Sequence, residues 1–123
     1  MNTTCKESLT YPDRLRRFEK NAGDLYSVQS AVMKPFWEVH KQAVATGALE
    51  TKMKELIALA ISVSEHCDDC IAHHVYDAFE AGATKEEIAD ALGVAVLMGG
   101  GASVVYATHA MEALSQFSEA SDQ

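Results

Sequence analysis

The sequence has no apolar run long enough to cross a bilayer, and its start lacks the features of a secretory signal. Positive charge is also scarce, because 10 lysines and arginines face 18 aspartates and glutamates and leave a net charge of −8. Such an acidic surface does not attract nucleic acid or an anionic membrane. We therefore expect a cytoplasmic protein whose partners include neither nucleic acid nor membrane. The one basic cluster (Arg14, Arg16, Arg17 and Lys20) is interpreted as the solvated face of a helix.

Cysteine is limited to three residues, too few for a disulfide framework. Cys5 lies in a polar stretch, residues 1–12, that we expect to be a flexible N-terminus, so it is interpreted as an incidental thiol. Cys67 and Cys70 form a Cys-x-x-Cys pair. In a reducing compartment such a pair is typical of a catalytic dithiol or a metal site, and less so of a structural disulfide.

Alternation of apolar and polar residues is missing over any useful length, whereas apolar residues recur at helical spacing from the middle of the chain to its end. The sequence therefore predicts an all-α protein. With 123 residues, 48% of them hydrophobic, the chain is long enough for one core and short for two. Residues 1–123 are thus predicted to form a single domain.

Caps and breakers predict where the first helices begin and end. Tyr11 opens a helix that Gly23 ends, and Asp24 caps a following segment. Pro35 suits the first turn of the next helix, which stops before Gly47. Each of these boundaries depends on a single residue. The sequence therefore predicts the helix boundaries of the N-terminal half less strongly than those of the remainder.

The signals for helix starts and ends are clearer in the C-terminal half. Residues 51–64 carry one apolar stripe, and Ser64 is predicted to cap a helix that Gly82 ends. Thr84 and Glu87 fit a capping box at the start of another helix.

Three consecutive glycines at positions 99–101 separate that helix from a last one over residues 102–117. No Gly-Lys-Ser/Thr sequence accompanies them, so they predict a hinge or a close helix contact and not a phosphate loop. The last two helices are apolar around much of their circumference, which indicates a subunit interface.

The Cys-x-x-Cys pair is followed by a histidine at helical spacing. On a helix, Cys67, Cys70 and His74 fall within roughly 60° of one another. The thiolate is the reactive form of cysteine, and a nearby base or a helix N-terminus favours it. The pattern therefore predicts a redox site in which His74 is the base.

Glu55, which eleven intervening residues separate from Cys67-x-x-Cys70-x-x-x-His74, completes a motif that resembles the alkylhydroperoxidase D-like proteins of the carboxymuconolactone decarboxylase superfamily. The resemblance covers roughly residues 35–113. It implies a compact orthogonal domain of about six helices, assembled as a homo-trimer or homo-hexamer. The implied activity is that of an antioxidant oxidoreductase, a thiol-dependent peroxidase of the peroxiredoxin type, for which we expect no cofactor and no metal.

The resemblance also implies roles for four residues. Cys70 would attack the hydroperoxide, and Cys67 would resolve the resulting sulfenic acid as a disulfide. His74 would accept the proton of Cys70, while Glu55 would orient His74. A dihydrolipoyl or thioredoxin-like reductant would restore the dithiol at the more exposed sulfur, expected to be that of Cys67.

One position departs from some peroxidases of the family. Asp69 stands where they have a histidine, and a carboxylate there disfavours the neighbouring thiolate unless it points to solvent. We expect Asp69 to point to solvent. His66 and His73 are interpreted as surface histidines. Core or interface packing is the interpretation of His109 and of Trp37 with Phe36.

Three alternatives remain beside the peroxidase. Zinc could bind Cys67, Cys70 and His74, but the fourth ligand is missing unless His40 or His109 supplies it. The same dithiol could serve a non-enzymatic redox sensor that passes its disulfide to a partner. Lactone decarboxylation, the other activity of the superfamily, has no need of a dithiol.

Overall fold

A computed structural model describes residues 9–122, which form six α-helices and no strand within that range. The all-α prediction is therefore confirmed, while Cys5 lies outside the described residues. None of these helices is long and apolar enough to cross a bilayer. The helices are α1 (Tyr11–Val28), α2 (Ser30–Val44), α3 (Thr51–Ser64), α4 (Asp68–Glu80), α5 (Lys85–Gly99) and α6 (Gly101–Ser121).

The core lies between α3, α4, α5 and α6, and α1 closes one side of it by packing on α4 and α6. Large side chains that are fully buried alternate with alanines, which let neighbouring helices approach closely. The buried apolar residues without any exposed surface are Leu59, Val63, Ile71, Ala72, Val75, Ala78, Ile88, Ala110 and Ala113.

The apolar stripe of α3 carries one charged residue into the interior. Leu56, Leu59 and Val63 face the core at spacings of three and four, as predicted, and Glu55 lies beside Leu56 with only 2% of its surface exposed. Because α3 packs most extensively on α4, this carboxylate is directed towards the helix that follows the cysteines.

The predicted start of the first helix at Tyr11 is confirmed, but its end at Gly23 and the start of the second helix near Pro35 are wrong. Gly23 lies inside α1, and Pro35 lies inside α2 and not in its first turn. Gly23 lacks a positive φ, so it costs only helix propensity and does not end the helix. The chain instead breaks at Gln29, which has a non-helical backbone.

Three turn signals at the other end of the chain are confirmed. Gly82 ends α4 with a φ of 91°, and Thr84 and Glu87 form both hydrogen bonds of the capping box. Between α5 and α6, Gly100 has a φ of 69°. A Cβ at Gly99 would clash with the buried side chain of Ser103, so the glycines permit a close helix contact, as predicted.

Candidate active site

Cys67 is the N-cap of α4 and not a residue within the helix, as the predicted cap at Ser64 would have made it. Its Sγ accepts a hydrogen bond from the backbone N–H of Cys70 at 3.2 Å. Ser64, the predicted cap, is the last residue of α3. The difference arises at His66, whose φ of 57° lets the chain turn between the two helices and delays the start of α4.

The two cysteines are joined by a disulfide across this first turn. Their Cα atoms are 5.2 Å apart, which is an ordinary separation for a disulfide. An N-cap and the third helical residue face one another, so the pair can open and close without a change of fold. The thiols also lie at the positive end of the helix, which favours the thiolate of the reduced form.

The side chain of His74 lies one turn after Cys70 and is fixed by a carboxylate. Its Nδ1 lies 2.8 Å from Oε1 of Glu55. Since a carboxylate accepts, Nδ1–H donates, and Nε2 is left unprotonated and able to accept a proton. All four residues predicted for the site, Glu55, Cys67, Cys70 and His74, are therefore brought together.

A cavity of about 220 Å³ lies in front of Cys70 and His74. Phe18 of α1 and Phe36 and Trp37 of α2 form the aromatic part of its wall. Neither Phe36 nor Trp37 belongs to the buried core, because α2 has no buried residue. Of the predicted core or interface packing of this pair, the core alternative is therefore wrong, and the interface alternative stays a prediction. The apolar spacing around these two residues predicts a helix, but it does not show which surface of the protein the helix covers.

His73 also lines this cavity and is not a surface histidine as predicted. Its side chain is 22% exposed, and its Nε2 lies 2.9 Å from Oδ2 of Asp77. The hydrogen bond to Asp77 raises the pKa of His73 against the opposing effect of burial, and the charges of Asp77 and Glu55 raise it further. The i,i+4 spacing of His73 and Asp77 is a signal in the sequence from which this pair could have been found. His66 is exposed, as predicted.

Asp69 does not simply point to solvent. Its carboxylate pairs with Arg14 at 3.3 Å and with Arg17 at 3.6 Å, both from α1. These two cations compensate the negative charge beside Cys70. The basic cluster is therefore only in part a solvated face: Arg16 and Lys20 form exposed ion pairs within α1.

Asp68, the first residue of α4, links the start of this helix to α1 and α6 through hydrogen bonds. Its Oδ1 accepts a hydrogen bond from the Tyr11 hydroxyl at 2.8 Å and one from Nδ1 of His109 at 2.9 Å. Burial, together with the bond to Asp68, raises the pKa of Tyr11. His109 is thus a half-buried histidine with a partner, in agreement with its interpretation as packing.

Two groups of side chains in the described range could hold a metal ion. His40, His73 and Asp77 form one, and Glu55, His74 and Asp77 form the other. Neither group includes a cysteine, so neither corresponds to the zinc site considered from the sequence.

The sequence profile of the carboxymuconolactone decarboxylase family matches residues 30–113. The chain belongs to this family. It is 39% identical over 98 residues to an uncharacterised protein of Cupriavidus necator, a match that covers 80% of this chain and 87% of that protein. It is also 34% identical over 94 residues to an uncharacterised protein of the cox locus of Paracoccus denitrificans, covering 76% and 85%.

Solved structures of the family have the same fold. A carboxymuconolactone decarboxylase family protein of Legionella pneumophila is 35% identical, with a TM-score of 0.86 over 88% of this chain and 96% of that one. A family member from Thermotoga maritima, described as a candidate participant in the antioxidative response, is 28% identical, with a TM-score of 0.80 over 89% and 93%. The expected helical architecture of the family is therefore confirmed.

Proposed function

We propose that this protein is a thiol-dependent peroxidase that reduces hydroperoxides with the Cys67–Cys70 dithiol. The observation that carries the proposal is the position of Cys70 at a helix N-terminus, one turn before a histidine that a buried carboxylate orients. This is the nucleophile, base and orienter arrangement that covalent catalysis needs. The description of the Thermotoga maritima relative points to the same kind of chemistry.

The first step consumes the peroxide. His74 takes the proton of the Cys70 thiol, and the thiolate attacks the terminal oxygen of the hydroperoxide. The O–O bond breaks, Cys70 is oxidised to a sulfenic acid, and the alcohol leaves after His74 returns the proton. The cavity supports this step because its aromatic wall can hold the apolar part of an organic hydroperoxide beside Cys70.

The second step closes the disulfide. The thiol of Cys67 attacks the sulfur of the sulfenic acid, the S–S bond forms, and the oxygen of the sulfenic acid leaves as water. The 5.2 Å separation of the two Cα atoms supports this step, because the sulfurs reach one another without a change of backbone. A dihydrolipoyl or thioredoxin-like dithiol then reduces the bond by thiol–disulfide exchange and is itself oxidised to a disulfide.

Turnover of a hydroperoxide in the presence of a dithiol tests the proposal. Purified protein should consume an organic hydroperoxide continuously with dihydrolipoamide or with thioredoxin as the reductant. Cys70→Ser should abolish consumption, while Cys5→Ser, which removes the one cysteine outside the motif, should leave it unchanged.

Three other results would contradict this proposal. A single oxidation without turnover by either reductant would favour a redox sensor. Full dithiol-dependent turnover by the Cys70→Ser variant would show that Cys70 is not the nucleophile. Turnover of a lactone substrate that is unaffected by loss of both cysteines would favour decarboxylation.

A further inference from the structure

Three metal-ligating side chains converge beside the proposed peroxidase site without taking part in its chemistry. One ligand atom from each of His40, His73 and Asp77 lies within 4.8 Å of the other two. His73 and Asp77 are one turn apart on α4, and His40 approaches from α2. The ring centroids of His40 and His73 are 5.4 Å apart.

The two histidines of this cluster differ in the hydrogen bonding of their Nε2 atoms. Nε2 of His73 is bonded to Asp77 at 2.9 Å, whereas Nε2 of His40 is shielded from solvent and has no hydrogen-bond partner among residues 9–122. A buried imidazole nitrogen without a partner costs free energy, and native proteins rarely leave one so. A metal ion among the three side chains would give that nitrogen a ligand bond.

We propose that His40, His73 and Asp77 form a binding site for a divalent transition-metal ion of the Zn²⁺ or Co²⁺ kind. Two imidazoles and one carboxylate suit these ions, and a water molecule can complete a four-coordinate shell. Metal–ligand bonds of about 2.0–2.1 Å require all three ligand atoms to surround one ion. Nε2 of His73 and Oδ2 of Asp77 are already 2.9 Å apart. The adjustment therefore falls mainly on His40, which is carried by α2, a helix without buried residues.

The charges around the cluster favour a cation. Asp77, Glu55 and Glu19 all stabilise positive charge at His73, and their combined effect raises its pKa. The same negative charges favour a bound metal cation.

The second group of possible ligands, Glu55, His74 and Asp77, shares Asp77 with the first, but Glu55 and His74 are already hydrogen-bonded to each other. Glu55 and His74 lie 2.8 Å apart, and both atoms of that contact are satisfied. His40 is the histidine with a free buried nitrogen. The proposed metal therefore belongs to the group of His40, on the wall of the cavity that Cys70 also lines.

Titration of the oxidised protein with Co²⁺ and with Zn²⁺ tests this site. In the disulfide form neither Cys67 nor Cys70 can supply a thiolate ligand. Calorimetry should give one metal ion per chain, and bound Co²⁺ should show visible absorption without a thiolate charge-transfer band. His40→Ala and Asp77→Asn should each weaken binding at least about tenfold.

Two further variants make the test specific. His66→Asn removes an exposed histidine at a backbone position that asparagine tolerates, and it should bind the metal as the wild type does. His74→Ala should also retain binding. The proposal is overturned if the oxidised wild-type protein binds neither ion, if His40→Ala and Asp77→Asn bind normally, or if His74→Ala alone abolishes binding. Circular dichroism of each variant shows whether its fold is retained.

Discussion

Glu55 is the residue on which the proposed acid–base chemistry depends, although it does not touch the substrate. Its carboxylate is buried, and its hydrogen bond with His74 fixes the ring and leaves Nε2 free. A buried charge of this kind is costly unless its partner is present. Glu55 is therefore a positioning residue for His74 and not a surface carboxylate.

Glu55→Gln should slow the reaction of Cys70 with hydroperoxide about 10²-fold, because the ring of His74 loses its orienting charge. Stopped-flow oxidation of the reduced protein measures this rate. In a His74→Ala background the same substitution should cause little further loss, since its effect passes through the histidine. Glu65→Gln, a change at an exposed carboxylate, is the matched control. Equal and additive losses in the two backgrounds would contradict the assigned role.

The pair of His73 and Asp77 predicts a pH dependence of stability. The bond to Asp77 raises the pKa of His73 above its unfolded value, about 6.5. A raised histidine pKa contributes stability that is fully present below the unfolded value and is lost as the pH rises through the folded value. Asp77→Asn should therefore cost about 1 kcal/mol near pH 6 and progressively less at higher pH. Urea unfolding with a metal chelator at several pH values measures this, and a cost that grows with pH would contradict it.

At the residue scale, the sequence predicts the groups that are close along the chain. Cys67, Cys70 and His74 lie within eight residues, and helical spacing alone brings them together. The register of Glu55 was interpretable only through the family resemblance. His40 and Arg14 could not be assigned to the site, because they reach it from α2 and α1 through tertiary packing that periodicity does not encode.

At the element scale, α1 holds the N-terminus of α4 in place. Arg14 and Arg17 pair with Asp69, and the Tyr11 hydroxyl bonds to Asp68. Two acidic residues in the first turn suit the helix dipole, but they also place negative charge near the thiols. The arginines of α1 offset that charge.

Arg14→Ala should therefore slow alkylation of reduced Cys70 by iodoacetamide at neutral pH several-fold, since it leaves Asp69 less well compensated. The effect should shrink in high salt because Asp69 is 40% exposed. Arg16→Ala removes an arginine from the same helix that pairs only with exposed Asp13, and it should have no effect. Equal slowing by both substitutions would indicate a general charge effect and not this contact.

Replacing a glycine by alanine should change the free energy of unfolding in opposite directions in α5 and in α1. Gly99→Ala should destabilise the protein by about 1–3 kcal/mol, because the added Cβ meets the side chain of buried Ser103. Gly23→Ala adds a Cβ in open space within α1 and should stabilise by about 1 kcal/mol. Urea unfolding of the two variants measures both, and a Gly99→Ala variant as stable as the wild type would show that the contact is not tight.

Helix boundaries were predictable where a cap and a breaker agree. The capping box at Thr84 and the left-handed Gly82 locate their helix ends correctly. The boundaries predicted from Gly23 and Pro35 are wrong because both residues lie inside helices. A helix can contain a glycine or a proline when neighbouring turns compensate for the cost. The predicted cap at Ser64 placed Cys67 three positions too far into α4, since the turn at His66 has no strong signal in the sequence.

At the scale of the whole molecule, large apolar side chains are exposed on several helices, which is typical of interaction surfaces. Exposed apolar residues of α2 include Val32 and Val39, and those of α5 include Leu97, which is 80% exposed. A second copy of the chain would cover such faces. We propose a homo-trimer or homo-hexamer in solution.

Light scattering coupled to gel filtration should give three or six times 13.3 kDa for the wild type. Leu97→Glu should lower the mass, because a charge in an apolar interface opposes association. Asn21→Glu adds the same charge on an exposed position of α1 and should leave the mass unchanged. A wild-type mass of a single chain would contradict the assembly.

The whole-molecule class was predictable because it depends on patterns that run through the entire sequence. Helical periodicity without strand alternation predicted the all-α architecture, and the motif around Cys67 and Cys70 predicted the family. The apolar circumference of α5 indicated a subunit interface, but the surface that the exposed face of α2 meets could not be predicted. A stripe of apolar residues has the same sequence pattern whether it packs on its own core or on a neighbouring chain.

Trapping of the first oxidation product tests the central assignment most directly. Reduced Cys67→Ser and Cys70→Ser variants would each receive one equivalent of organic hydroperoxide in the presence of a sulfenic-acid reagent, followed by mass spectrometry of the motif peptide. The Cys67→Ser variant should carry the adduct on Cys70, and the Cys70→Ser variant should carry none on Cys67. An adduct on Cys67 with none on Cys70 would contradict the proposed mechanism.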